Sequence, residues 1–132
     1  MEKKLFGFQI NNDIQFDIAQ KRLIRISVTN SVHSMAWGVV YLSDPMVRFL
    51  ACLLIRKDNG ENIVSKKTVL KEVWEDHGLI SSSQLLWKTV RELNIRLASI
   101  GLLDFVINVT GTGYSLVDYV IVPLFYSKNQ IN

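Results

Sequence analysis

The sequence predicts an α+β domain on three observations. β-Branched and aromatic runs separated by polar clusters come first, three stretches of helical periodicity follow, and a glycine-centred hairpin pattern comes after them. Strands grouped before helices imply segregated layers, not a doubly wound parallel sheet. At 132 residues and 48% apolar content the chain can bury one ordinary core. One domain is therefore expected over about residues 1–118, with residues 119–132 as a C-terminal tail.

The apolar runs Leu5 to Ile10, Ile14 to Ile18, Leu23 to Val28 and Met35 to Leu42 are divided by Asn11-Asn12-Asp13 and Thr29-Asn30-Ser31, which predicts a small antiparallel sheet over about 5–42. At Ser43-Asp44-Pro45 a polar capping residue precedes a proline suited to a first helical turn. Val47, Phe49, Leu50, Leu53 and Leu54 then carry a helix over about 44–57. Asp58-Asn59-Gly60 breaks it. Ser65 can cap a second helix over about 65–77 with Val69, Leu70, Val73 and Trp74 on one side, and Gly78 is a natural stop.

Ser81, Ser82 and Ser83 are N-cap candidates for a third helix over about 83–99. Its buried stripe is Leu86, Val90, Leu93 and Leu97, at spacings of four, three and four. Phe105 to Val109 and Tyr114 to Val117 flank Thr110-Gly111-Thr112-Gly113 and predict a hairpin over about 105–117.

At about 100° per residue, that stripe turns Gln84, Lys88, Arg91 and Ile95 outward and leaves Trp87 and Asn94 on a flank. Arg and Lys can donate to guanine O6 and N7, Gln can pair with adenine, and Ile95 can meet thymine methyls, so this face suits the major groove of double-stranded DNA. The plain alternative is that Lys88 and Arg91 solvate an amphipathic helix and that Trp87 packs. Lys66, Lys67 and Lys71 fall near the start of the second helix, where ammonium and free backbone N–H groups can both meet phosphate; a solvated helix face is again the alternative.

A net charge of +3 permits a polyanionic partner without demanding one. The single cysteine, Cys52, excludes an intramolecular disulfide and reads as a small buried thiol in a reducing compartment. No secretory pattern follows Met1, and the apolar run Tyr119 to Tyr126 is too short to span a bilayer, so a cytoplasmic location is expected. Gly111-Thr112-Gly113 lacks the lysine of a phosphate-binding loop, and His33 and His77 lack further donors at ligand spacing. Glu72, Glu75 and Asp76 form an acidic edge better read as helix solvation than as acid–base machinery. No nucleophile, base and orienting group assemble from neighbouring motifs, so neither a cofactor nor an enzymatic activity is expected. Asn108-Val109-Thr110 fits a glycosylation acceptor, which a protein lacking an export signal would not use.

The order of these pieces resembles the OmpR/PhoB-type winged helix-turn-helix DNA-binding domain, and within it the ToxR and CadC group of bacterial regulators. The resemblance rests on Ile14, Phe16, Asp17, Arg22 and Leu23, on Leu42-Ser43-Asp44-Pro45 with Phe49-Leu50, and on Ile63-Val64-Ser65 with Val73-Trp74. It continues through Leu86, Val90, Leu93 and Leu97 to Val106, Val109, Gly113, Tyr114 and Leu116. It implies that the third helix enters the major groove and that Thr110 to Gly113 form a wing beside the phosphate backbone.

The DNA-facing residues so implied are Gln84, Trp87, Lys88, Arg91, Asn94 and Ile95, with Lys66, Lys67, Thr110 and Thr112 at the backbone. Asn94 stands where the family commonly has arginine, Thr112 where it has a basic wing residue, and Met46 where it has glutamate. Fewer cations imply weaker phosphate contact. The functional expectation is a transcriptional regulator, with RNA polymerase or a co-regulator and a second copy of the chain as further candidate partners. The alternative is a winged helix with little or no DNA affinity that serves as a protein-interaction module through Trp87, Ile95 or the tail. For the tail itself, an added strand or an interface is expected, because mostly apolar residues are costly to leave in water.

Overall fold

In the computed structural model, which describes residues 2–27 and 36–127, the chain forms two antiparallel sheets around three helices. His33 and the Thr29-Asn30-Ser31 cluster lie outside the described residues. Strands β1 (Lys3–Ile10), β2 (Ile14–Asp17), β3 (Arg22–Ser27) and β4 (Ala36–Tyr41) form a meander. The alternation seen in the sequence sends Phe8, Ile10, Ile14, Phe16 and Leu23 into the core. The apolar tail joins the same sheet. Strand β8 (Ile121–Ser127) lies antiparallel to β1, so the order is β4-β3-β2-β1-β8.

Helix α1 (Asp44–Asp58) buries Met46, Val47, Phe49, Leu50, Cys52, Leu53 and Leu54. Ser43 holds the extended N-cap conformation but makes no side-chain cap bond, unlike the expectation. Pro45 sets the first turn, and Asp44 bonds Lys21 at 2.7 Å, which holds its carboxyl below the ordinary value. Cys52 is buried. Burial first, and the nearby Glu72 carboxylate next, push its thiol up to about 12, so it is a packing residue held protonated.

Helix α2 (Lys66–Val73) is shorter than its periodicity predicts. Its cap is Ser65, whose oxygen accepts from the Thr68 N–H at 3.1 Å. After Val73 the backbone leaves the α region at Trp74, whose side chain is buried. A single 3₁₀ turn, Glu75–His77, carries the chain to Gly78, and the Trp74 carbonyl accepts from both His77 and Leu79. The Nε of Arg48 on α1 donates to the Val73 carbonyl at 2.7 Å and so satisfies a group exposed at the end of α2.

The acidic edge is structural. Glu72 pairs with Arg56, Asp76 with Lys71 at 2.9 Å, and Glu75 accepts from Ser81 at 2.6 Å.

Helix α3 (Ser83–Ala98) starts from Ser82, whose hydroxyl accepts from Leu85 N–H at 3.0 Å. It buries Leu86, Thr89, Val90, Leu93 and Leu97. The hydroxyl of Thr89 is satisfied by donation to the Leu85 carbonyl at 2.9 Å. Arg96 donates to the Tyr41 carbonyl at 2.7 Å and Arg25 to the Ile100 carbonyl at 2.9 Å, which ties the C-terminal end of α3 to the first sheet.

The second sheet is three-stranded, with β5 (Val64–Ser65) beside β7 (Gly113–Leu116) and β7 beside β6 (Val106–Val109). Strand β5 has no counterpart in the sequence expectation, because two residues are too few to show alternation. Gly113 is required here: a Cβ at this position would lie 2.0 Å from the Val64 carbonyl oxygen. No helix among the described residues is long and apolar enough to cross a membrane.

Candidate nucleic-acid interface

Burying the Leu86, Val90, Leu93 and Leu97 stripe against α1 and the sheets leaves the other side of α3 in solvent. Gln84, Lys88 and Arg91 are exposed there, and Trp87 and Ile95 are each 59% exposed. Trp87 therefore does not pack in the core, which removes one of the two readings left open for it. The Arg91 guanidinium lies over its ring, 5.6 Å from the centroid.

Asn94 behaves differently from the expectation. It is half-buried, its amide nitrogen donates to the Val106 carbonyl and its amide oxygen accepts from the Val106 N–H, each at 3.0 Å. Both ends of the amide are thus engaged by the first residue of β6, and its role is to fix the hairpin to α3. An arginine has no acceptor and could not make this reciprocal pair. Asn94→Ala should lower unfolding stability by about 1–2 kcal/mol, the cost of leaving both Val106 groups without their partner. Urea denaturation checks this, and a loss below about 0.5 kcal/mol would show that solvent substitutes for the amide.

The hairpin between β6 and β7 turns through Thr110, Gly111 and Thr112. Gly111 takes φ +75°, and Thr112 N–H donates to the Val109 carbonyl at 2.9 Å. Thr110 and Thr112 are both exposed at its tip, and the hairpin from Phe105 to Val117 carries no Lys or Arg. Lys66, at the start of α2, lines a hollow of about 370 Å³ together with Asn108, Thr110, Gly111 and Thr112. The fold thus brings Lys66 to the turn residues across the β5–β7 pairing. Lys67 is exposed in the same helical turn, whereas Lys71 is neutralised by Asp76.

Sequence reasoning did not single out Asn108 for this hollow, and no local signal marks it, because its neighbour Lys66 lies 42 positions away. A second hollow of about 390 Å³ joins Gln84 and Lys88 to Ile80, Ser82 and Leu85 at the start of α3. Ile80, 89% exposed, was likewise not anticipated.

The electrostatic pattern separates two sets of cations. Lys21, Arg25, Arg56, Lys57 and Lys71 each pair with a carboxylate. Lys66, Lys67, Lys88 and Arg91, like Lys3, Lys4, Arg22, Arg48 and Arg96, have no carboxylate within ion-pair distance among the described residues, and Arg48 and Arg96 donate to backbone carbonyls instead.

Among solved structures, the chain is similar to the DNA-binding domain of the response regulator AdeR, determined in complex with an intercistronic region. The TM-score is 0.59 at 15% identity, over 80% of this chain and 95% of that one. The C-terminal domain of the nisin resistance regulator NsrR, a lantibiotic response regulator, gives a TM-score of 0.55 at 24% identity, over 87% of this chain and 96% of that one. The chain has the OmpR/PhoB-type winged-helix fold. In this winged helix α3 is the third helix of the expected order, and β6, β7 and their turn form the hairpin wing that follows it. No family model matches the sequence, and no curated protein matches it either.

Proposed function

We propose that this winged helix is a DNA-binding transcriptional regulator that lays α3 in the major groove of double-stranded DNA. The observation that carries the reading is the placement of four exposed cations, without carboxylate partners among the described residues, on α3 and beside the wing turn. Lys88 and Arg91 stand on the solvent face of α3, and Lys66 and Lys67 stand at the start of α2 beside the wing turn. An isolated domain gains little from cations left unpaired in water, whereas a duplex supplies a phosphate or a base-edge acceptor for each of them. Gln84, Lys88, Arg91 and Ile95 would face base edges, while Lys66, Lys67, Thr110 and Thr112 would position the domain on the backbone. A cytoplasmic location and a further partner such as RNA polymerase or a co-regulator belong to the same proposal.

Fluorescence-anisotropy titration against genomic duplex fragments at several salt concentrations tests it. Affinity should fall linearly in log–log coordinates with a slope of about −2, near 0.9 for each of the two phosphates met by Lys66 and Lys67. A protein that binds no duplex even at low salt would overturn the proposal.

That outcome would favour a second reading, a protein-interaction module. The exposure of Ile80, Trp87 and Ile95 supports it, since large apolar groups in water are also what a protein partner would cover.

A further inference from the structure

Trp87 is an anomaly for a soluble domain: an indole more than half exposed, outside the buried cluster, whose ring contact among the described residues is with Arg91. The two residues are four apart on α3. Long side chains on a helix lean toward its N-terminus, which carries the guanidinium of Arg91 back over the preceding turn, onto the face of Trp87. Arg91 has no carboxylate partner that would hold it elsewhere. Stacking restricts a flexible side chain to a plane while leaving its N–H edge free to donate.

We propose that Trp87 is a positioning residue that presets Arg91 as the guanine reader of the recognition helix. The inference rests on the DNA-binding reading above. The planar fork of Arg91 matches the O6 and N7 acceptors that guanine presents in the major groove, and ordering it before contact reduces the entropy lost on binding. Lys88, a point charge without a planar fork and without a ring contact among the described residues, takes no part in this selection.

The experiment is selection from a randomised duplex pool with the full chain, comparing the parent with Arg91→Ala, Trp87→Ala and Trp87→Phe. Salt slopes are measured on the enriched site, and thermal melts of each variant confirm folding. The parent should enrich guanine at one position, and Arg91→Ala should relax that preference about 10-fold. Trp87→Ala should relax the same position about 3-fold without changing the salt slope, since it removes no charge, and Trp87→Phe should restore most of the preference by keeping an aromatic face.

A guanine preference untouched by Trp87→Ala, or a loss spread equally over all sequences, overturns the positioning role and leaves the DNA reading intact. Arg91-dependent selection of another base also overturns it. A parent that enriches nothing overturns the DNA reading and this inference together.

Discussion

Lys88→Ala/Arg91→Ala protein should bind its preferred duplex about 100-fold more weakly than the parent and remain folded. The two side chains are exposed, and neither pairs with a carboxylate among the described residues. Their replacement therefore leaves no buried partner unsatisfied. The fold loses at most the stack of Arg91 on Trp87, about 0.5–1 kcal/mol at an exposed site. Alanine, the best helix former, offsets part of that.

DNA binding loses much more. One bidentate base contact is worth about 1–3 kcal/mol, and the lost base-edge contact of Lys88 adds to it, so a total near 3 kcal/mol gives about two decades in affinity. The salt slope should change little, since Lys66 and Lys67 hold the backbone contacts. Anisotropy titrations at two salt concentrations, with a thermal melt alongside, separate these effects. Undiminished binding by a folded double variant would remove α3 from the interface.

Phe49→Ala should destabilise the fold by about 3–5 kcal/mol, the range for emptying a fully buried aromatic site. Phe49 is completely buried on α1 and meets Tyr114 edge-on, with ring centroids 5.4 Å apart and an interplanar angle of 82°. Tyr114 is the residue of β7 that pairs with Val64 on one side and Asn108 on the other. The cavity therefore opens beneath the wing. Domains of this size are stable by only about 5–15 kcal/mol, so the loss is a large share of the total. Urea denaturation measures it, with Ile95→Ala as an exposed control expected within about 0.5 kcal/mol of the parent. A Phe49→Ala loss below about 1 kcal/mol would mean that α1 and the wing do not share a packed core.

The site was legible where it depends on a single helix. The stripe of Leu86, Val90, Leu93 and Leu97 determines which side of α3 is buried, and hence that Gln84, Lys88, Arg91 and Ile95 face water. The same arithmetic put Asn94 on a flank and could go no further. Whether a flank residue meets solvent or a neighbouring strand depends on where β6 docks, and that is not written in the periodicity of α3. The hollow between Lys66 and Thr110 was illegible for the same reason, being created by the pairing of β5 with β7.

By itself the sequence determined the α+β class, the places where helices begin and the wing turn, because each rests on interactions within a few residues. Ser65 and Ser82 cap the helices that follow them, and Gly111 supplies the positive φ of the turn. Tertiary structure decided what depends on distant partners. It placed the tail as β8 along β1, paired two-residue β5 with the wing, engaged both ends of the Asn94 amide with Val106 and left Trp87 in solvent under Arg91. Strand pairing satisfies backbone groups that any extended segment offers. The choice of neighbour therefore falls to the burial of whole apolar faces, which is settled only when the entire core assembles.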